Sequence, residues 1–155
     1  MNGPPSPTSS ASALAGFSLC EAGRTVDGWG RAIFLATVLS GLPISSPPPN
    51  LFALAAGVVF AGLEAYHALR LAIDRPVFAA WARLDGDALP DALRGFDAAL
   101  AKLAGKDERS GDALRPLSGR VAGVRRLLLR QAVCLGGQAA ALAVILSGYF
   151  FHANA

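Results

Sequence analysis

Apolar residues are concentrated in three runs, and this pattern dominates the chain. The most continuous run covers residues 51–73, LFALAAGVVFAGLEAYHALRLAI. As an α-helix it would reach about 34 Å, against about 30 Å for the hydrocarbon core of a bilayer. Two other runs, residues 28–44 and 131–151, are candidates of the same kind. The pattern predicts an all-α integral membrane protein with three transmembrane helices.

The segments before and between the first two runs carry little charge. Residues 1–27 begin with a Pro- and Ser-rich stretch, and we expect a disordered or interfacial N-terminal tail there, with a short amphipathic turn over residues 14–27. Trp29 then fits an interfacial anchor. Residues 43–50, PISSPPPN, predict a stiff, short turn, so residues 28–75 should form an antiparallel transmembrane hairpin.

Residues 76–126 form the one sizeable polar stretch. Pro76 suits the first turn of a new helix, and Trp81 suits a position at the membrane interface. An amphipathic helix is indicated by apolar residues at helical spacing, with Pro90 at its start and Gly105 at its end: Leu89, Ala92, Leu93, Phe96, Ala99, Leu100 and Leu103. A second amphipathic stretch from about Leu117 leads into residues 127–155, the third transmembrane helix and a short tail. We therefore expect a small cytoplasmic helical hairpin between the second and third spans.

Small residues recur every three or four positions along the second and third runs. Such stripes let another helix approach closely in a membrane. The residues that we assign to helix packing are Ala53, Gly57, Ala61, Gly137 and Ala141. The spans should therefore pair through these faces.

Glu64 is an acid inside the second run, where exposure to lipid would cost several kcal/mol, so it should face a protein neighbour. One interpretation makes it a structural hydrogen-bonding group between helices. The other makes it a proton or ion site, or half of a metal site with His67 at i+3. In the third run, Gln131, Gln138 and Tyr149 share a face, and an amide such as Gln138 could bond the acid. Glu64, His67 and Gln138 are the candidate intramembrane polar cluster.

Composition agrees with a membrane protein, since 53% of the residues are hydrophobic and 16% are charged. The net charge of +3 does not indicate nucleic-acid binding. A nucleic-acid site would combine basic and aromatic residues on a soluble face, whereas the basic residues of this chain adjoin an apolar run. After Asp112 there is no acid, and a basic flank for anionic lipid head groups precedes the third span: Arg120, Arg125, Arg126 and Arg130.

The distribution of basic residues also predicts the orientation. Arg24 and Arg31 precede the apolar part of the first span, and Lys and Arg residues fill the region between the second and third spans. The 43–50 loop and the 152–155 tail have none. The positive-inside rule then puts the N-terminus and residues 76–126 in the cytoplasm and the C-terminus outside. The Ala-, Gly- and Arg-rich usage is typical of GC-rich bacteria, so the bacterial inner (plasma) membrane is the expected location.

Residues for catalysis are few. No nucleophile motif, phosphate-binding loop or paired-cysteine zinc pattern is present, and Cys20 and Cys134 lack metal-ligand spacing. His67 and His152 should lie near opposite ends of different spans, too far apart to share a metal in one copy; a haem held by His67 of two copies is an alternative. We predict no enzyme activity, no cofactor and no metal site.

Two classes of function remain. The first is a non-catalytic accessory or scaffolding subunit of a larger membrane complex, associating with a membrane-protein partner or with itself. The alternative is a small homo-oligomeric transporter, or an ion- or proton-conducting protein, in which Glu64 is the intramembrane site.

Overall fold

The computed structural model describes residues 8–41, 48–84, 88–103, 105 and 116–153. These residues form four α-helices: α1 Thr8–Gly41, α2 Pro48–Trp81, α3 Leu89–Leu103 and α4 Leu117–Ala153. The three long helices α1, α2 and α4 pack against one another side by side. The all-helical prediction is therefore confirmed.

Buried residues recur every seven positions on each long helix. On α4 they are Leu117, Val124, Gln131, Gln138 and Ile145. The same repeat gives Gly57, Glu64, Leu71 and Phe78 on α2, and Gly16, Gly23, Gly30 and Thr37 on α1. A strict seven-residue repeat corresponds to 3.5 residues per turn, which keeps one seam of each helix facing its neighbours as in a coiled coil.

Helices α1 and α2 are antiparallel, and glycines of α1 face large side chains of α2. A Cβ atom at Gly16 would lie 2.4 Å from the Phe78 ring, and one at Gly23 would lie 2.6 Å from Leu71. Further along, Thr37 lies opposite Gly57, whose Cβ would be 2.9 Å from the threonine methyl group. The glycines thus bring the two backbones close together in one register.

At the end of the bundle where α2 ends, an apolar cluster packs against α3. The Trp81 ring packs edge-on against Phe78 and against Phe96 of α3, with centroids 5.4 and 5.3 Å apart. Trp81 is only 5% exposed. It therefore belongs to this cluster, in contrast to the interfacial position that we predicted. At the opposite end, the Tyr149 hydroxyl donates a hydrogen bond of 2.6 Å to the Ser40 carbonyl and joins α4 to α1.

Two helices are longer than the sequence predicted. Residues 8–13, expected in a disordered tail, are helical, and Ala13 is fully buried. The new helix expected at Pro76 does not form, because α2 continues through this residue to Trp81. A proline inside a helix costs about 3 kcal/mol, whereas each fully buried large apolar side chain contributes about 1.5–3 kcal/mol. Burial of Phe78 and Trp81, just beyond the proline, offsets that cost.

Two helices are long and apolar enough to cross a bilayer in the described part of the chain. They are Leu51–Trp81 and Leu117–Phe151, with mean hydropathy of 1.5 and 1.7. The first predicted span, residues 28–44, is not among them. Arg31 interrupts this run, Arg24 and Asp27 lie just before it in α1, and residues 42–44 lie outside the described residues. The prediction of three spans is thus reduced to two candidate spans.

The amphipathic helix between the second and third runs agrees with the prediction. It is α3, and Gly105 after it has a φ of 66°, the left-handed conformation of a C-terminal cap. The predicted turn at residues 43–50 lies mostly outside the described residues, and residues 48–50 belong to α2. The stretch from Leu117 and the third run form one helix, α4.

Candidate functional site

The candidate site is centred on Glu64, which is 2% exposed on the inner face of α2. Gly30 of α1 lies opposite, and a Cβ atom there would be 2.7 Å from Glu64 Oε2. A side chain at position 30 would therefore collide with the carboxylate. The glycine of α1 creates the space that the acid occupies.

Gln131 connects Glu64 to the other two helices of the bundle. Its Nε2 donates hydrogen bonds to Glu64 Oε1, at 2.6 Å, and to the Gly23 carbonyl of α1, at 3.0 Å. The side chain is fully buried, so both bonds form away from water. One amide thus joins α1, α2 and α4.

The predicted cluster of Glu64, His67 and Gln138 is not brought together as such. The hydrogen bond to Glu64 comes from Gln131, and Gln138 lies two helical turns further along α4, about 10 Å away. Gln138 is fully buried, and both its amide atoms lack a hydrogen-bond partner among the described residues. His67 is half-buried and packs edge-on against Tyr66, at 5.4 Å between ring centroids.

The described residues contain no group of three or more His, Cys, Asp or Glu side chains that could hold a metal ion. Cys20 and Cys134 are free and buried. Burial, together with the nearby carboxylates of Asp74 and Glu21, raises the pKa of the Cys20 thiol to about 11, although the charge of Arg75 opposes this shift. At neutral pH this thiol is protonated and is a poor nucleophile.

A groove of about 650 Å³ lies between α1 and α2 and reaches Glu64. Its α1 side includes Asp27 and Arg31, joined by an ion pair of 2.8 Å. Its α2 side is formed mainly by small residues: Ala61, Gly62, Ala65, Ala68 and Ala72. The groove is therefore largely apolar, and its charged lining residues are Asp27, Arg31 and Glu64.

Most of the residues predicted to pack helices contact other helices of this same chain. Ala53, Gly57 and Ala141 are buried in the bundle, and a Cβ at Gly57 would lie 3.5 Å from that of Ala141. A Cβ at Gly137 would lie 2.8 Å from the Phe60 ring. Ala61, in contrast, lines the groove.

The predicted basic flank divides into two parts. The Arg120 guanidinium lies 5.3 Å from the Trp81 ring centroid and pairs with Asp97 of α3. Arg120 therefore fastens α3 to the bundle, which differs from the lipid contact that we predicted. Its side chain is 12% exposed, because two aromatic rings cover it. Arg125, Arg126 and Arg130 are exposed.

Sequence reasoning missed the role of Gln131 and the glycines opposite α2. The seven-residue repeat could have found them, because Gln131 lies seven residues from both Val124 and Gln138, and Gly23 lies seven from both Gly16 and Gly30. No protein-family model, curated protein or solved structure matches this chain. The functional proposals below therefore depend on the geometry of the described residues.

Proposed function

We propose that this chain is a non-catalytic accessory or scaffolding subunit of a larger membrane complex. Membrane insertion is supported by the outer faces of α2 and α4, where large apolar side chains point away from the bundle. Val59, Leu63, Ile73, Leu129 and Val133 are each 47–71% exposed. Exposed apolar surface of this extent is unfavourable in water but not in lipid or against a partner.

The register of the bundle supports α1 as a third membrane segment. Gly30 is level with Glu64, and Thr37 is level with Gly57. If α2 crosses the bilayer, this part of α1 lies beside it at the same depth. Leu35 and Leu39, which are 58% and 66% exposed, then contact lipid.

The proposed location is a bacterial inner membrane with the N-terminus and α3 on the cytoplasmic side. The support is the positive-inside rule applied to the basic residues around α3. Arg125, Arg126 and Arg130 are exposed at that end of α4 and would contact anionic head groups. The tail after α4 would then lie outside.

The observation that carries the accessory role is an uncovered stripe on the outer face of α4. Ala132, Gly136 and Ala140 are exposed at intervals of four residues, and nothing lies within 4 Å of a Cβ at Gly136. Gly57 and Gly137, in contrast, are covered by side chains of this chain. A small-residue stripe permits close approach of another membrane helix, so this face suits a partner.

The test is co-extraction of the tagged chain in mild detergent, followed by native mass spectrometry. We expect a second polypeptide in stoichiometric amount, and we expect Gly136→Leu to remove it because leucine blocks close helix approach. Gly123→Leu is the matched control, since position 123 is an open glycine on a different face of the same helix. Equal loss in both variants, or complexes that contain no other protein, would contradict the accessory role.

A second candidate is a small homo-oligomeric transporter or ion-conducting protein, favoured by the position of Glu64 beside the groove. It predicts that Glu64→Gln abolishes ion or proton flux in liposomes and leaves assembly intact. Full flux in that variant would exclude Glu64 as the exchanging group. Native mass spectra that show only copies of this chain would favour this candidate over the first.

A further inference from the structure

The groove between α1 and α2 has a buried acid beside it with one oxygen uncommitted. Glu64 Oε1 accepts the hydrogen bond from Gln131, whereas Oε2 has no hydrogen-bond donor among the described residues. Oε2 lies over Gly30, and both residues line the groove. The groove therefore gives a bound molecule access to an acceptor that the bundle itself leaves free.

The charges around the groove leave one negative group without a counter-ion. Arg31 is paired with Asp27 through an i,i+4 ion pair, so these two charges balance. Glu64 has a neutral partner, the Gln131 amide. With Glu64 ionised, the charged side chains that line the groove sum to −1. A cation that enters the groove would neutralise this net charge.

We propose that the groove binds a monovalent organic cation with an apolar body. Its volume of about 650 Å³ lies within the 300–1,000 Å³ typical of small-molecule sites. The apolar body would lie along the small residues of α2, with Val58 and Phe34 at its sides. Phe34 adds an aromatic surface, which attracts organic cations more than neutral molecules of the same shape. The positive centre would lie near Glu64 Oε2.

A simple metal ion fits this groove less well than an organic cation. Na⁺ or Ca²⁺ requires several oxygen ligands. Apart from the Asp27–Arg31 ion pair, the groove offers one free carboxylate oxygen in a largely apolar wall. An organic cation requires no such shell, because its charge is spread over an apolar surface. The inference does not depend on the accessory role, since the groove and the exposed stripe of α4 are on different parts of the bundle.

The test is equilibrium dialysis of tetraphenylphosphonium against the full chain in dodecyl maltoside, with protein-free micelles as the blank. We expect saturable binding of about one cation per chain. Tetraphenylborate, which has the same shape and the opposite charge, should not bind saturably. Glu64→Gln should weaken cation binding about tenfold or more, because it removes the charge and keeps an oxygen for the bond from Gln131.

A second pair of variants distinguishes an effect on the groove from a loss of the folded structure. Ala65→Phe fills the groove and should abolish binding, whereas Ala56→Phe, at an exposed position on α2 that does not line the groove, should leave binding unchanged. Helix content by circular dichroism must match wild type in all variants. Absence of saturable binding to the wild-type chain, or undiminished binding by folded Glu64→Gln, would overturn the proposal. If Ala65→Phe removed a co-extracted polypeptide while the wild-type chain bound no cation, the groove would hold a partner helix instead.

Discussion

Gln131 and Glu64 form a buried polar contact in an interior that is otherwise mostly small or apolar. The amide donates to the acid on α2 and to the Gly23 carbonyl on α1, so its position along α4 matters. A shift of α4 by one turn would carry the donor about 5 Å away and leave the acid unbonded. This contact therefore selects one register of the three helices, as single buried polar residues do in coiled coils.

The two buried glutamines of α4 are predicted to differ in their effect on stability. Gln131→Met removes both hydrogen bonds and should lower the free energy of unfolding by about 1–3 kcal/mol. Gln138→Met replaces an equally buried side chain that has no partner among the described residues, and should be neutral or stabilising. Unfolding titrations in detergent would measure both. Equal losses in the two variants would show that the bond to Glu64 contributes nothing specific.

Cys20 should make stability fall with rising pH in a defined window. Its pKa is about 11 in the folded chain against 9.0 for an exposed thiol, mainly because of burial. Above pH 9 the unfolded chain loses this proton first, so the free energy of unfolding should decline between pH 9 and 11, by about 2–3 kcal/mol in total. Below pH 9 the thiol is protonated in both the folded and the unfolded chain, so it adds no pH dependence to the free energy of unfolding. Cys20→Ala should remove this part of the slope, and an unchanged slope in that variant would refute the assignment.

The glycines of α1 determine how closely two whole helices can approach. Gly16 lies against the ring of Phe78, which is 3% exposed, so a shift of the ring would disturb its packing. Gly16→Ala should therefore destabilise the bundle by about 1–3 kcal/mol, although alanine is the better helix former. Gly28→Ala, where nothing lies within 4 Å, should instead stabilise it by about 0.5–1 kcal/mol. Thermal unfolding in detergent compares the two, and stabilisation by Gly16→Ala would show that the close contact is absent.

At the scale of elements, local patterns predicted α3 and failed for the ends of α1 and α2. The apolar spacing and Gly105 were sufficient for α3, because both signals act within the helix itself. Pro76 is a local signal for a helix start, but it is outweighed by the burial of Phe78 and Trp81 among residues from other helices. Such long-range packing cannot be derived from a single stretch of sequence.

For the candidate site, the sequence identified the acid and the helix face that meets it, but not the donor. Gln131 and Gln138 were placed together on one face of α4, and only the relative height of the helices decides that Gln131 is the residue that reaches Glu64. The glycines Gly23 and Gly30 set that height. Arg120 shows the same limitation, because its pairing with Asp97 depends on where α3 packs.

For the molecule as a whole, we propose that α1, α2 and α4 cross the membrane as one bundle. In the bundle α1 is antiparallel to α2, and the contact of Tyr149 with Ser40 places the C-terminal end of α4 beside that of α1. Three crossings therefore put the two ends of the chain on opposite sides of the membrane. Two crossings, by α2 and α4 alone, would put both ends on the same side.

The most direct test locates both ends of the chain in bacterial cells, with green fluorescent protein fused in turn to the N-terminus and the C-terminus, and alkaline phosphatase fused to the C-terminus. Three crossings predict a fluorescent N-terminal fusion, an active C-terminal phosphatase and a C-terminal fusion without fluorescence, because the two ends lie on opposite sides of the membrane. Reporters that place both ends on the same side, such as a non-fluorescent N-terminal fusion together with an active C-terminal phosphatase, would contradict the crossing of α1.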